Sequence, residues 1–113
     1  MNSDTREEVL SRNLYMCEYK GCTRRAIEVA HRIAKTKENI AMAHRVLIQE
    51  FNVHMNKKLV IDIIIDNPIN LAASCREHND YFNTGYDTMA FMAVVKKFLD
   101  NIYGDNTNNN NNN

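Results

Sequence analysis

The chain has 113 residues, a length typical of one domain, and its 14 basic and 14 acidic side chains cancel, which argues weakly against indiscriminate nucleic-acid binding. No apolar run is long enough to cross a bilayer, and the polar N-terminus does not resemble a signal peptide, so we expect no membrane contact and a cytoplasmic location. A disulfide framework would leave one of the three cysteines unpaired, whereas metal ligation can use all of them, which favours a reducing compartment.

The first predicted elements are a helix over residues 3–12, a turn that contains two cysteines, and a strand over residues 26–33. Gly21 lies in the turn between Cys17 and Cys22, where a residue that tolerates positive φ is needed. Several β-branched residues follow the turn and favour the strand, which we expect to be the first strand of a hairpin.

The middle of the chain predicts a second helix, because apolar residues recur at helical spacing from about residue 37 to residue 51. Residues 57–66 contain a run of isoleucine and valine that is typical of a buried strand or extended segment, and Asn67-Pro68 ends it. We expect the inserted stretch 34–66 to pack against the domain rather than to contact DNA.

Two helices complete the prediction. A short one extends from Cys75 to about Phe82, and a longer one extends from Asp87 to Tyr103. The apolar face predicted for the longer helix consists of Met89, Met92, Val95, Phe98, Leu99 and Ile102. The order of elements predicts a single α+β domain over residues 1–104. Residues 105–113 are rich in asparagine and are predicted to form a disordered tail.

All three cysteines belong to two short clusters, Cys17-x₄-Cys22 and Cys75-x₂-His78. Zinc prefers four tetrahedral cysteine and histidine ligands, and two close pairs from distant segments are typical of a closed structural site. We therefore predict one structural Zn²⁺ held by these four residues. The alternative is that they are unrelated buried cysteines and a surface histidine.

His31 lies between the two clusters along the chain, and a neutral imidazole can act as a general base near pH 7. Basic residues outnumber acidic ones around it, whereas other acids, including Asp62 and Asp66, lie elsewhere in the sequence. Asn70 could hold the loop that carries the base, and the carboxamide oxygen of Asn79 suits magnesium. The alternative for His31 is a structural histidine within an ordinary solvated surface.

The set Cys17-x₄-Cys22, Ala-His31-Arg-Ile and Asn70-Leu71-x₃-Cys75-x₂-His78-Asn79 resembles the HNH endonucleases, the ββα-metal (His-Me finger) nucleases with a zinc knuckle. The resemblance covers about residues 6–86. It implies hydrolysis of phosphodiester bonds in DNA, expected to be double-stranded, with His31 as general base. It also implies a middle asparagine at Asn70 and a catalytic Mg²⁺ or Mn²⁺ held partly by Asn79. The cations expected to contact phosphates are Arg24, Arg25, Arg32 and Lys35.

Two departures from the family pattern keep other functions open. Ala30 stands where many members carry a metal-binding aspartate or histidine, and residues 34–66 separate the base from Asn70 more widely than in compact members. One alternative is therefore a catalytically inactive, zinc-stabilised nucleic-acid-binding module of the same fold. Another is a purely structural interaction domain, which zero net charge and the apolar last helix favour.

Overall fold

The computed structural model describes residues 1–83 and 88–101, which fold into helices and one two-stranded sheet. This mixed content agrees with the predicted α+β class. None of the helices in the described ranges is long and apolar enough to cross a membrane. The predicted tail, residues 105–113, lies outside the described residues. In chain order the elements are α1 (Ser3–Arg12), β1 (Glu28–His31), α2 (Lys37–Phe51), α3 (Lys57–Val60), a π-helical segment (Ile61–Ile65), a 3₁₀ turn (Pro68–Asn70), β2 (Leu71–Ser74), α4 (Arg76–Asn83) and α5 (Thr88–Leu99).

The two strands form an antiparallel sheet in which Glu28 lies opposite Ser74 and His31 lies opposite Leu71. A two-stranded sheet is marginal by itself, so it needs helices to cover it. Helices α1 and α4 both pack against the sheet. The first of these contacts buries a small apolar cluster made of Val9, Leu10, Ala26, Leu71 and Ala73.

The inserted stretch between the strands forms the larger part of the core. It packs against α5, which confirms the expectation that this stretch has a packing role. The buried residues of this core are Ile33, Ala43, Leu47, Val60, Ile64, Ile65, Phe91, Val94 and Val95.

The predicted strand over residues 57–66 is wrong, because α3 and the π-helical segment occupy that stretch. Asn56 caps α3, and its side-chain oxygen accepts a hydrogen bond from the Leu59 N–H at 2.8 Å. The fully buried residues in the stretch are Val60, Ile64 and Ile65, a spacing of one helical turn. Burial of that face against the core therefore outweighs the β preference of the isoleucines.

Candidate functional site

Cys17, Cys22, Cys75 and His78 meet as predicted, with ligand atoms that all lie within 4.8 Å of one another. Tetrahedral zinc requires sulfur–sulfur distances of about 3.8 Å and sulfur–nitrogen distances of about 3.5 Å, from bond lengths near 2.3 and 2.0–2.1 Å. The Cys22 and Cys75 sulfurs are 3.9 Å apart, and His78 Nδ1 lies 3.7 Å from the Cys17 sulfur and 3.3 Å from the Cys75 sulfur. The four side chains therefore fit one tetrahedral zinc ion.

The loop that carries the first cysteine pair is a tight turn tied to the sheet. The Cys17 N–H donates to the Arg24 carbonyl at 2.8 Å, and Gly21 adopts φ +82° between the two ligands, as its position predicted. The Arg24 N–H points at the Cys22 sulfur at 3.4 Å, a contact that favours a thiolate. The Glu18 N–H donates to the Ala73 carbonyl at 2.8 Å, so the turn is hydrogen-bonded to β2.

A partly exposed ion pair between Arg12 and Glu18 strengthens that junction between the turn and the sheet. The Glu18 carboxylate accepts hydrogen bonds from Arg12 at 2.8 and 2.9 Å and from the Ala73 N–H at 2.7 Å. Burial raises the pKa of Glu18, but these hydrogen bonds outweigh it and leave the pKa below its usual value. Helix α1, which contains Arg12, thereby holds the first half of the metal cluster in position.

The second half of the cluster follows β2 directly. Cys75 is the residue between β2 and α4, and His78 lies in the first turn of that helix. Tyr19 lies between Cys17 and Cys22 in the sequence. Its ring stacks on the His78 ring, with the ring centroids 4.0 Å apart and an angle of 11° between the ring planes. The two halves are therefore joined by ring stacking as well as by the ligand geometry.

His31 ends β1, and its ring is held by an aspartate that the sequence placed far away. The Nε2 atom of His31 lies 2.8 Å from Asp66, and Lys35 lies 3.1 Å from the same carboxylate. Both the imidazole and the carboxylate are mostly buried, with 16% and 11% of their side chains exposed. Burial raises the pKa of Asp66, but the hydrogen bonds from His31 and Lys35 and the lysine charge outweigh it and lower the pKa below its usual value.

Asn79 is connected to His31 through a second asparagine on α4. The His31 N–H donates to Asn83 Oδ1 at 2.8 Å, and Asn83 Nδ2 donates to Asn79 Oδ1 at 2.7 Å. Asn79 Nδ2 in turn donates to the Ser74 hydroxyl at 2.9 Å. Helix α4 therefore runs back along β1 from the metal cluster. The seven-residue rise along the helix and the three-residue rise along the strand are each about 10 Å, so the two elements match in length.

Asn70 is fully buried and holds the chain that follows His31. Its Oδ1 accepts from the Ile33 N–H at 2.8 Å, and its Nδ2 donates to the carbonyls of Ile65 and Ile33 at 2.8 and 3.3 Å. The Asn70 carbonyl also accepts from the Arg32 N–H at 2.7 Å. One side chain thus joins the end of β1 to the entry into β2.

The four cations expected to contact phosphates differ in their surroundings. Lys35 is bound to Asp66, and Arg24 forms an exposed ion pair with Glu77 at 3.3 Å. The Arg32 guanidinium lies over the Phe82 ring, 5.1 Å from its centroid. The fourth, Arg25, is exposed, and its backbone forms an isolated bridge with Met16.

Comparison of the chain with protein-family models, curated proteins and solved structures finds no match.

Sequence reasoning missed two residues that hold His31. Asp66 is 35 positions from His31, and its contact depends on the path of the inserted helices, which no local pattern gives. The other, Asn83, could have been found, because it lies four residues after Asn79 and just past the predicted helix end near Phe82, so a helix one residue longer places both on the same face.

Proposed function

We propose that this chain is a metal-dependent HNH-type endonuclease that hydrolyses phosphodiester bonds in DNA, with a ββα-metal core formed by β1, β2 and α4. The main support for the proposal is the pairing of His31 with Asp66 at one end of the two-stranded sheet, whose other end leads into the Cys₃His cluster. We assign the cluster to a structural Zn²⁺, since all four of its positions are protein ligands and none is left for a substrate.

His31 has the surroundings of a general base. When Nε2–H donates to Asp66, the lone pair of the neutral ring lies on Nδ1, which makes no hydrogen bond to the residues that the structure describes. Nδ1 would take a proton from water, and the resulting hydroxide would attack phosphorus in line with the leaving 3′ oxygen. Asp66 would orient the ring and stabilise the imidazolium as it forms, as the carboxylate of a catalytic triad does.

The metal ligand expected on α4 is the side-chain oxygen of Asn79. This oxygen accepts one hydrogen bond from Asn83, and an amide oxygen has a second lone pair that can face a cation. A Mg²⁺ or Mn²⁺ ion bound there would stabilise the negative charge on the phosphate and on the leaving oxygen. Asn83 connects that ligand to the backbone of His31, so the base and the ligand are positioned by one hydrogen-bonded chain.

Ala30 favours a second candidate function, a zinc-stabilised module that binds DNA without cleaving it. Its side chain is fully buried and offers no metal ligand beside His31, so Asn79 would share the ion only with water and phosphate. In that case the exposed arginines Arg24 and Arg25, with Arg32, would supply phosphate contacts and no reaction would follow.

A plasmid nicking assay in Mg²⁺ or Mn²⁺ separates the two candidates. We expect the wild type to relax supercoiled DNA and His31→Ala to lose at least 100-fold of that activity, on the scale of general-base catalysis. The control is His54→Ala, because His54 is exposed and the hydrogen bond shown for its ring is to the neighbouring Asn52, away from His31. Intact plasmid with all three proteins, together with salt-sensitive retardation of DNA in a gel, would refute the nuclease and support the binding module.

A further inference from the structure

An exposed aromatic patch lies along α4 and the turn between the first two cysteines, and the proposed reaction does not use it. We define the patch as Tyr19, Tyr81 and Phe82, with the His78 ring beneath it. The Tyr19 ring lies 5.5 Å from the Tyr81 ring and 6.1 Å from the Phe82 ring. Tyr81 is 68% exposed and Tyr19 is 40% exposed, so both tyrosines meet solvent, although the His78 ring covers one face of Tyr19.

The position of the patch connects it to the proposed site. His78 is a ligand of the metal cluster, and Phe82 lies beneath Arg32, the residue that follows His31. The patch therefore extends along the same helix that contains Asn79, from the metal cluster toward the proposed base. Tyr81 lies one helical turn after His78 on α4, and its ring centroid is 5.7 Å from that of His78, so its side chain is on the helix face of the metal cluster and not on the face of Asn79.

The charges around the patch suit a polyanion. Near the patch in the sequence, exposed cations outnumber the exposed acids Glu77 and Asp80, and they still do when the ion pair between Arg24 and Glu77 is left out of the count. Aromatic rings flanked by cations are the usual means by which proteins bind unpaired nucleotides, since each base can stack on a ring while its phosphate meets a positive charge. The exposed cations near the patch in the sequence are Lys20, Arg24, Arg25 and Arg76.

The ring faces distinguish between paired and unpaired DNA. In a duplex the bases stack on one another and expose only their edges in the grooves, so a protein ring has no base face to contact. An unpaired or extruded base exposes its face. A surface of exposed tyrosine rings is therefore better matched to single-stranded or locally opened DNA than to a continuous duplex.

We propose that the patch binds an unpaired nucleobase by stacking on Tyr81, so that the enzyme prefers DNA with single-stranded or extruded nucleotides near the scissile phosphate. The inference rests on the proposed function for the identity of the polymer. It adds the structural class of the substrate, which the general base and the metal ligand do not determine.

The test measures the affinity for a fluorescent single strand and for the matching duplex by anisotropy, without added divalent ion so that no cleavage occurs. Tyr81→Phe keeps the ring, Tyr81→Leu keeps an apolar side chain without a ring, and Tyr81→Ala removes both. We expect Leu and Ala to weaken single-strand binding on the order of tenfold, the range found for loss of one stacked base. We expect Phe to bind like the wild type and duplex affinity to stay within about twofold in all variants, because phosphate contacts remain.

Three outcomes overturn the inference. The variants could lose equal affinity for the single strand and for the duplex, their affinities could be unchanged by substitution of Tyr81, or the protein could bind neither DNA. Self-association that disappears in Tyr81→Ala would assign the patch to a contact between copies of the chain instead. Parallel nicking assays on plasmid keep the two proposals separate. If the protein nicks plasmid and its single-strand affinity does not depend on Tyr81, only this inference is refuted. If single-strand binding depends on Tyr81 and the protein never nicks plasmid, only the proposed reaction is refuted.

Discussion

Replacement of Asn70 by alanine tests how the segment after His31 is held. The change removes three hydrogen bonds at 2.8, 2.8 and 3.3 Å, and it leaves the Ile33 N–H and the carbonyls of Ile33 and Ile65 without that partner in a dry environment. A buried polar group left unpaired costs about 1–3 kcal/mol, so we expect Asn70→Ala to lose about 3–5 kcal/mol of unfolding free energy. That loss is a large fraction of the 5–15 kcal/mol available to a typical domain.

The assay is urea unfolding followed by circular dichroism, with zinc present for every variant. The matched control is Asn67→Ala, three residues earlier. Asn67 is only partly buried and bonds the Ile69 N–H at 3.0 Å and the Ile63 carbonyl at 3.2 Å, so its loss should cost about 1 kcal/mol. Equal losses in Asn70→Ala and Asn67→Ala would refute the view that the buried amide holds this junction.

Two further predictions concern the metal cluster and Asp66. Elemental analysis should find about one zinc per chain, and Cys22→Ser or chelation should remove the metal and unfold the domain, because zinc binding is coupled to folding; protein that stays folded and metal-free would contradict this. Asp66→Asn should cost about 1–2 kcal/mol at pH 7, because charged hydrogen bonds to His31 and Lys35 are lost. The pKa of Asp66 is lowered from 3.8, so the advantage of the wild type should be complete above that pH and disappear as the pH falls further. The measurement is the urea midpoint of unfolding of the wild type and of Asp66→Asn from pH 7 to pH 3. A difference in stability that stays constant over this range would contradict the prediction.

The metal cluster could be predicted because its chemistry is local. Cys17-x₄-Cys22 and Cys75-x₂-His78 each place two ligands within one turn, and only one partner pair exists for each. The helix over residues 37–51 could also be predicted, since Thr36 caps it through a bond from the Asn39 N–H at 3.1 Å.

The helical character of residues 57–66 could not be read from composition, because a run of isoleucine suits a buried strand and a buried helix equally. The face of α5 was predicted only in part. Val95 is buried as expected, but its neighbours in the core are Phe91 and Val94, whereas Met92 is 44% exposed. In both segments the position of the neighbouring helices decides which residues are buried.

The surroundings of His31 show the same limit at the proposed site. The sequence placed His31 among basic residues, and the structure adds a carboxylate, Asp66, which lies among acids in a distant part of the sequence. The pairing also removes Lys35 from the set of free cations, because its ammonium group lies against the same carboxylate. Contacts between segments that are joined by a long insertion depend on tertiary packing and leave no spacing signature.

Chemical rescue of His31→Gly tests the proposed general base most directly. Plasmid nicking by this variant is measured in Mg²⁺ with and without added imidazole at neutral pH. We predict that the variant is inactive and that imidazole, which can occupy the vacated space beside Asp66, restores a measurable fraction of the wild-type rate. Nicking by His31→Gly at the wild-type rate without imidazole would contradict it.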